Sequence, residues 1–395
     1  MKRKLCHDAP IDALYPADAA WMARTDKTTT RLLGYSDVNI ESVTSLMLGV
    51  LGRQPSVRHV SSVTTEILDF LSSCGLVIEE DMRVYRTADE AIKDARALIA
   101  AGFRFMSPYP VPAGLYPEAA SIVPSPLWYR LNAKSRLSDL VDQQFLAPRR
   151  VIRSENKIKT PVYLKAGGAA VTAWGYAVRY CENDAEVRDA LAWFQEMGAD
   201  ADLVAENAMD VTTCWCAHIA CSDEQTYYLG AAEQLFSAPA KQSGSVIDAA
   251  RGFPEAGRKI VLSAGEKARA LGFRGIAALD IGQLVDGRLL VFDPNFRINA
   301  STVQILFHDA AVAGTNWSVS QSAGGSSLLP MTEIISRLES LTREGWFVPT
   351  RLLDAALLPA TRGASIWTGF VLGTNRAEAM NRCAALTEIL ASEAT

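Results

Sequence analysis

Three polar side chains follow one apolar stretch at alternating positions. Residues 289–292 (Leu-Leu-Val-Phe) predict a buried strand, and Asp293, Asn295 and Arg297 come directly after it. Because side chains on a strand alternate between its two faces, these three can point into one site. A carboxylate, an amide and a guanidinium on one face can hold a cation and an oxyanion side by side.

A second apolar strand, residues 276–279, ends in Asp280. The Asp-Gly pair at 286–287 predicts a tight hairpin between the two strands, which would bring Asp280 near Asp293. Two carboxylates and an amide oxygen form a hard oxygen cluster that suits Mg²⁺ shared with substrate phosphates. The alternative for an isolated pattern of this kind is an exposed hairpin whose polar ends are merely solvated.

Composition narrows the class of protein. The 395 residues are 49% hydrophobic and 21% charged, which is typical of a globular protein with two or three domains. A net charge of -5 gives no general attraction to nucleic acid or anionic membranes. We find no apolar run of about 18 residues and no signal-peptide core, so neither a transmembrane helix nor secretion is predicted.

The cysteines favour a cytoplasmic protein. Seven cysteines, an odd number scattered over a long chain, fit reduced thiols better than a disulfide framework. Cys214, Cys216 and Cys221 have metal-like spacing, but the segment 212–220 predicts a strand and the chain contains no C-x-x-C pair. Core or surface thiols are therefore favoured over a structural zinc site.

Residues from about 28 to 125 alternate between predicted strands and helices. The spacing predicts strands at 30–35 and 59–63, and helices at 38–51 and 87–101, the last with a capping box. This unit has no GxGxxG motif, so a dinucleotide site is not expected there. Further helices are predicted at 131–140, 183–197, 257–271, 331–343 and 376–392, further strands at 227–236 and 369–373, and a break at Pro349.

A lysine and a glycine-rich loop form a second candidate site. The strand predicted at 160–165 ends in Lys165, and Gly167, Gly168 and Gly175 follow within ten residues. Small residues let backbone N–H groups approach phosphates, and such a loop can fold over a nucleotide. It is not a Walker A loop because the lysine precedes the glycines, and a plain β-turn is the alternative. The strand and polar bend at 201–210 could pair with an adenine edge or be an ordinary strand exit.

The order of these features resembles the ATP-grasp superfamily. The residues on which this resemblance rests are Lys134, Lys165 with its glycine loop, Glu206, Asp280 and the run 293–297. The similarity covers residues 130–305, and the closing lobe resembles that of ATP-grasp peptide ligases of natural-product pathways. The resemblance implies an α/β and α+β protein: a Rossmann-like pre-ATP-grasp domain at 1–127, ATP-grasp subdomains at 128–305 and a C-terminal lobe at 306–395.

The same resemblance implies an ATP-dependent carboxylate–amine ligase. ATP phosphorylates a carboxylate, an amine attacks the acyl phosphate, and an amide or peptide bond forms with release of ADP. The implied partners are small carboxylates and amines, amino acids or short peptides, without nucleic acid or membrane, and the enzyme can form a homodimer. The alternatives are a carboxylase or thioester-forming ligase on the same fold, or a nucleotide-binding protein without turnover.

The resemblance also assigns roles to residues. The implied nucleotide contacts are Lys134 and Lys165 at the phosphates, Gly167, Gly168 and Gly175 in the loop over them, and Glu206, Asn207 and Met209 at the adenine and ribose. The implied Mg²⁺ ligands are Asp280, Asp293 and Asn295. Arg297 and Lys165 are the implied catalytic residues, with Arg297 at the acyl phosphate. Two departures stand out: the family commonly has Glu where Asp293 stands, and Pro294 predicts a sheet edge or strand end.

Overall fold

The computed structural model describes residues 4–7, 9, 14–112, 114–152, 158–168, 171, 176–199, 202–358 and 363–391. Within these ranges the strands form three sheets, of four, eight and four strands. No helix in the described ranges combines the length and apolar character needed to cross a bilayer.

The first sheet is parallel. Its strands are β1 (Ala19–Met22), β2 (Pro55–His59), β3 (Asp81–Tyr85) and β4 (Arg104–Met106), in the order β3-β2-β1-β4. Its helices are α1 (Asp37–Thr44), α2 (Thr65–Ser73) and α3 (Ala88–Ala100). Alternate residues of β1 enter two separate hydrophobic clusters, so both faces of this sheet are covered. The predicted capping box of α3 is confirmed, with Thr87 and Glu90 bonding each other's backbone N–H groups.

Three predictions in this region were wrong. Residues 30–35 form no strand, because the side chain and carbonyl of Asp26 accept hydrogen bonds from the segment that follows and Arg31–Leu33 becomes a 3-10 turn. The strand expected at 59–63 lies at Pro55–His59 instead. The helix expected to reach residue 51 ends at Thr44, where serine and threonine hydroxyls bond back to carbonyls of the last turn.

The second sheet is antiparallel. Its strands are β5 (Arg149–Ile152), β6 (Val162–Ala166), β7 (Val178–Cys181) and β8 (Leu203–Asn207), in the order β5-β8-β6-β7. Helix α4 (Ser125–Asn132) precedes this sheet in the chain, and α5 (Asp184–Glu196) packs on it with Asn183 as its N-cap. The helix predicted at 131–140 was wrong, since α4 ends at Asn132 and a 3-10 helix begins at Lys134.

The third sheet is antiparallel, has eight strands and carries the hairpin predicted from sequence. Its strands are β9 (Val211–Cys221), β10 (Thr226–Ala238), β11 (Lys241–Asp248), β12 (Gly275–Leu284), β13 (Leu289–Asn295), β14 (Val319–Ser327), β15 (Phe347–Leu353) and β16 (Ser365–Gly373). Their order is β13-β12-β9-β10-β11-β14-β16-β15, so the last strands of the chain extend the sheet that begins with the hairpin. The remaining helices are α6 (Glu255–Ala270), α7 (Thr302–Val312), α8 (Met331–Glu344) and α9 (Arg376–Ile389).

Two prolines lie in the outer strands of this sheet. Pro294 is in β13, which is an edge strand, as the missing N–H donor predicted. Pro349 does not break the structure as expected but lies inside β15, the opposite edge strand, where the register shifts between Pro349 and Arg351. An edge strand tolerates proline because one of its sides needs no ladder hydrogen bonds.

Candidate active site

The β12–β13 hairpin places two carboxylates opposite each other. Asp280 and Asp293 are direct register partners, which confirms the proximity predicted from the Asp-Gly turn. Asp293 accepts from two buried lysines: Lys134 Nζ lies 2.6 Å from its Oδ2, and Lys165 Nζ lies 3.3 Å from its Oδ1. The 3-10 helix that begins at Lys134 and the strand β6 therefore both lie against the end of β13.

Glu206 holds two cations on the neighbouring sheet. Its Oε1 lies 2.7 Å from Lys165 Nζ, its Oε2 is ion-paired with Arg149, and the residue is only 1% exposed. Arg149 also donates to the carbonyl oxygens of Lys134, at 3.2 Å, and Phe292, at 3.1 Å. Both oxygens of Glu206 are thus engaged in ion pairs within the protein.

Sequence reasoning missed Arg149. Its partnership with Glu206 follows from the register of β5 against β8, where Arg149 and Glu206 are opposite residues. Strand β5 has four residues and no turn signal that links it to a partner more than 50 residues away, so nothing local identifies the pair. Arg149 completes a cluster of three cations and three carboxylates with Lys134, Lys165, Glu206, Asp280 and Asp293.

The cluster controls the ionisation of its members. Burial opposes ionisation of Asp293, but Lys134 and Lys165 outweigh it and hold the pKa of Asp293 well below its usual range. Burial and the charge of Asp293 raise the pKa of Asp280 to about 6. Burial lowers the pKa of Lys165 to about 8. Both lysines therefore stabilise the charge of Asp293, and Asp280 is the less satisfied carboxylate.

A cation can be held at this point. Oδ1 of Asp280 is buried and has no hydrogen-bond partner among the described residues. A buried carboxylate oxygen without a partner favours the binding of a cation or a donor group. Within those residues no group of three or more His, Cys, Asp or Glu side chains could hold a metal alone. Asp280, Asp293 and the amide oxygen of Asn295 can supply part of an oxygen shell, and phosphate oxygens would have to complete it, as is usual for Mg²⁺.

Two cavities meet at the paired carboxylates. A cavity of about 470 Å³ is lined by Lys165, Glu206, Asn207 and Met209. A second, of about 340 Å³, is lined by Lys134, Asn295 and Arg297. The residues that line both cavities are Val178, Gln234, Gln242, Asp280 and Asp293. A ligand in one cavity can therefore pass a group to a ligand in the other beside these carboxylates.

Arg297 is fixed in place at the second cavity. Its Nη2 donates to Oδ1 of Asn295 at 3.1 Å and its Nη1 donates to the carbonyl oxygen of Ile298 at 3.1 Å. Because these bonds orient the guanidinium before any ligand arrives, little rotamer freedom is lost on binding. Asn295 therefore orients Arg297 and is also a candidate ligand of the cation.

The predicted glycine loop is described only at its beginning. Gly167 packs so closely on the chain at the start of β8 that an added Cβ would collide with the carbonyl oxygen of Asp202, and its own carbonyl accepts from Ser135 N and Oγ. Gly167 and Gly168 line neither of the two cavities. Gly175, with residues 169–170 and 172–174, lies outside the described residues.

Family models identify the chain. A model of the N-terminal domain of L-aspartate–L-methionine ligases matches residues 10–129, and a model of the ATP-grasp domain of the same ligases matches residues 142–295. Together the two ranges span more than half of the chain. It belongs to the L-aspartate–L-methionine ligase family. The ligases of this family are ATP-grasp enzymes, so the prediction of an ADP-forming ligase that makes C–N bonds on amino acids is confirmed.

Solved structures support the ATP-grasp fold. An N5-carboxyaminoimidazole ribonucleotide synthetase in complex with ADP has a TM-score of 0.56 at 12% identity, over 94% of this chain and 95% of that one. The L-amino acid ligase from Bacillus licheniformis has a TM-score of 0.51 at 12% identity, over 94% and 97%. Biotin carboxylase from Campylobacter jejuni, in its β-γ-ATP complex, has a TM-score of 0.52 at 13% identity, over 94% and 91%. At these identities the likeness concerns the fold alone.

Proposed function

We propose that this ligase joins the carboxylate of L-aspartate to the amine of L-methionine, using ATP and Mg²⁺, through an acyl phosphate. The pair of substrates is suggested by the family to which the chain belongs. The observation that carries the reaction type is the meeting of two cavities at Asp280 and Asp293. An acyl phosphate forms where the terminal phosphate of one ligand touches the carboxylate of another, so the reaction requires two adjoining sites of this kind.

The nucleotide belongs to the larger cavity. Lys165 lines it, and the cavity continues past Asn207 and Met209 to the apolar side chains of Val211 and Phe236. The apolar end of this cavity suits the adenine base, which can also pair with backbone groups where strand β8 ends. The end at Lys165 suits the phosphates. Lys134 reaches the same carboxylate from the second cavity, so the two lysines flank the point where the terminal phosphate would lie. Glu206 acts here as a positioning residue for Lys165 and Arg149.

Mg²⁺ would be held by Asp280, Asp293 and Asn295. The two facing carboxylates and the unpartnered Oδ1 of Asp280 support this assignment. Bound there, the ion would supply positive charge to the phosphate oxygens during phosphoryl transfer.

Arg297 is the group best placed to stabilise the acyl phosphate. It lines the second cavity together with Asn295 and Asp293, where the substrate carboxylate would meet the phosphate. Negative charge develops on the phosphoryl oxygens and then on the carbonyl oxygen when the amine attacks. A pre-oriented guanidinium beside these atoms stabilises both steps without further reorganisation.

The test is a product assay on the wild-type enzyme. L-aspartate, L-methionine, ATP and Mg²⁺ should yield ADP, phosphate and a dipeptide of the expected mass, and omission of either amino acid should suppress the dipeptide. Hydroxylamine in place of L-methionine should trap the acyl phosphate as aspartyl hydroxamate. Release of AMP and pyrophosphate would refute the mechanism, and a dipeptide from other amino acids only would refute the substrate assignment.

A variant pair on one hairpin tests the role of Arg297. Arg297→Gln should lower kcat/KM at least 100-fold, because it removes a charge that faces the reacting atoms. Arg288→Gln is the matched control, since the Arg288 side chain is 65% exposed beside the turn of the same hairpin. Equal activity of the two variants would contradict the assignment.

A further inference from the structure

Arg351 is an arginine of the second cavity that the reaction described so far does not use. It lies on β15, and its side chain lines the 340 Å³ cavity. Its Nη1 donates to the carbonyl oxygen of Ser42 at 3.4 Å, and its Nη2 donates to Oγ1 of Thr368 at 3.1 Å. Its Nε is buried and has no hydrogen-bond partner in the part of the chain that the structure describes. Leaving such a donor unsatisfied is costly, so a ligand that accepts from it is favoured.

No protein carboxylate balances this charge. Among the described residues, no aspartate or glutamate is ion-paired with Arg351. Burial lowers the pKa of Arg351, and the groups that oppose this effect are the hydroxyls of Tyr35 and Tyr109. Arg351 is half-buried and its Nε is fully buried, and a guanidinium in such a position is normally matched by an anion.

The two tyrosines add a further donor. Their hydroxyl oxygens lie 2.6 Å apart, and both side chains line the same cavity as Arg351. One hydroxyl hydrogen is used between the two oxygens, which leaves the second hydrogen available for a third group. Burial raises the pKa of Tyr109 well above its ordinary value, so its hydroxyl stays protonated and able to donate. A guanidinium and a phenol that converge on one space form a site for a carboxylate.

Apolar side chains flank this space. Val43 is next in sequence to Ser42, which holds Arg351, and Ile366 lies on the same face of β16 as Thr368. Val43, Leu46 and Ile366 all line the cavity. A ligand that fits has a carboxylate for Arg351 and an apolar side chain beside it, which describes an apolar amino acid.

We propose that Arg351, with the Tyr35–Tyr109 pair, binds the free carboxylate of the amino acid that supplies the amine. The proposal rests on the proposed function, in which that amino acid is L-methionine. Its apolar side chain lies against Val43 and Ile366, and its amine is directed towards Arg297 and Asn295, which line the same cavity. The donor carboxylate lies at that other end, so the two arginines hold different substrates.

The test compares L-methionine with L-methioninamide, which keeps the amine but lacks the carboxylate. Arg351→Gln should lower kcat/KM for L-methionine about 100-fold, because the charge-assisted bonds to the carboxylate are lost. It should change kcat/KM for L-methioninamide less than about 2-fold and leave the KM values for L-aspartate and ATP unchanged. Arg351→Lys keeps the charge but not the bidentate geometry and should give an intermediate loss. Arg53→Gln, at a side chain that is 87% exposed, is the matched control.

Two outcomes would overturn the proposal. Equal losses for both acceptors in Arg351→Gln and Arg351→Lys would show a purely structural arginine. A raised KM for L-aspartate with L-methionine unaffected would assign the subsite to the donor. If the wild-type enzyme joins a different pair, the proposed function fails, and the same comparison with that acceptor and its amide still decides the role of Arg351.

Discussion

Replacing Glu206 with glutamine removes one negative charge from a buried cluster of six ionisable side chains. Glu206 is 1% exposed, and its two oxygens are held by Lys165 and Arg149. Glutamine has nearly the same shape and keeps one acceptor oxygen. The substitution leaves three cations against two carboxylates, so it tests the charge balance without creating a cavity.

The size of the effect follows from the geometry. Unit charges 2.7 Å apart, the distance between Lys165 Nζ and Glu206 Oε1, attract by roughly 6 kcal/mol at an effective dielectric constant of about 20. Desolvation offsets part of this attraction, and breaking a buried pair typically costs about 3–5 kcal/mol. Because glutamine keeps one hydrogen bond, we expect the free energy of unfolding to fall by about 3 kcal/mol.

The nucleotide should reverse part of this loss. The excess positive charge in Glu206→Gln favours a polyphosphate, so the affinity for MgATP should be kept or raised, and saturating MgATP should narrow the stability gap to the wild type. Urea denaturation with and without MgATP, together with calorimetric titration of MgATP, measures both effects. Glu196→Gln, on the exposed end of α5, is the control.

One result would refute this reasoning. If the affinity for MgATP falls more than about 10-fold while the free energy of unfolding is unchanged, Glu206 contacts the nucleotide directly. The carboxylate would then not be a counter-ion for Lys165 and Arg149.

Three further predictions concern the metal, pH and the loop. Asp280→Asn should raise the Mg²⁺ concentration for half-maximal ADP release at least about 10-fold, and an unchanged Mg²⁺ titration would remove Asp280 from the ligands. Burial lowers the pKa of His218 to about 4, so its contribution to stability is full above about pH 6.5 and is lost, by about 3 kcal/mol, as the pH falls towards 4. Unfolding of His218→Gln should lack that pH dependence, and an equal slope in both proteins would contradict the assignment. Gly167→Ala should lower the free energy of unfolding by about 1–3 kcal/mol and weaken ATP binding, because its Cβ would meet the carbonyl oxygen of Asp202 and the side chain of Val204 in β8. Gly252→Ala, where a Cβ would meet nothing within 4 Å, should be neutral in the same assays.

The parts of the site that sequence could predict are those joined by short connections. The strands at Asp280 and Asp293 are separated by a few residues with an Asp-Gly turn, so their pairing follows from local signals. The register shift between Asp280 and Ile281, which makes Asp280 and Asp293 direct partners, has no such signal. Lys134 is a different case. Its position was predicted only through the family resemblance, and its ion pair with Asp293 spans 159 residues.

The parts that sequence could not predict depend on long-range packing. Arg149 is recognised only through the register of β5 and β8, and Arg351 only through the contact of β15 and β16 with the end of α1. No motif surrounds either arginine in the sequence, and most arginines of a protein are exposed to solvent, so both would be expected at the surface. The failed strand at residues 30–35 has the opposite cause, since a local side-chain bond from Asp26 outweighed the apolar pattern.

The prolines at the two outer strands of the eight-stranded sheet bear on how copies of this enzyme can associate. An outer strand with free N–H and C=O groups is a template for a strand from another chain, and a proline in each of β13 and β15 interrupts that template. On the β13 side, the carbonyl oxygen of Phe292 is already taken by Lys165 and Arg149. Pairing of the eight-stranded sheet with a second copy through either of these outer strands is therefore disfavoured.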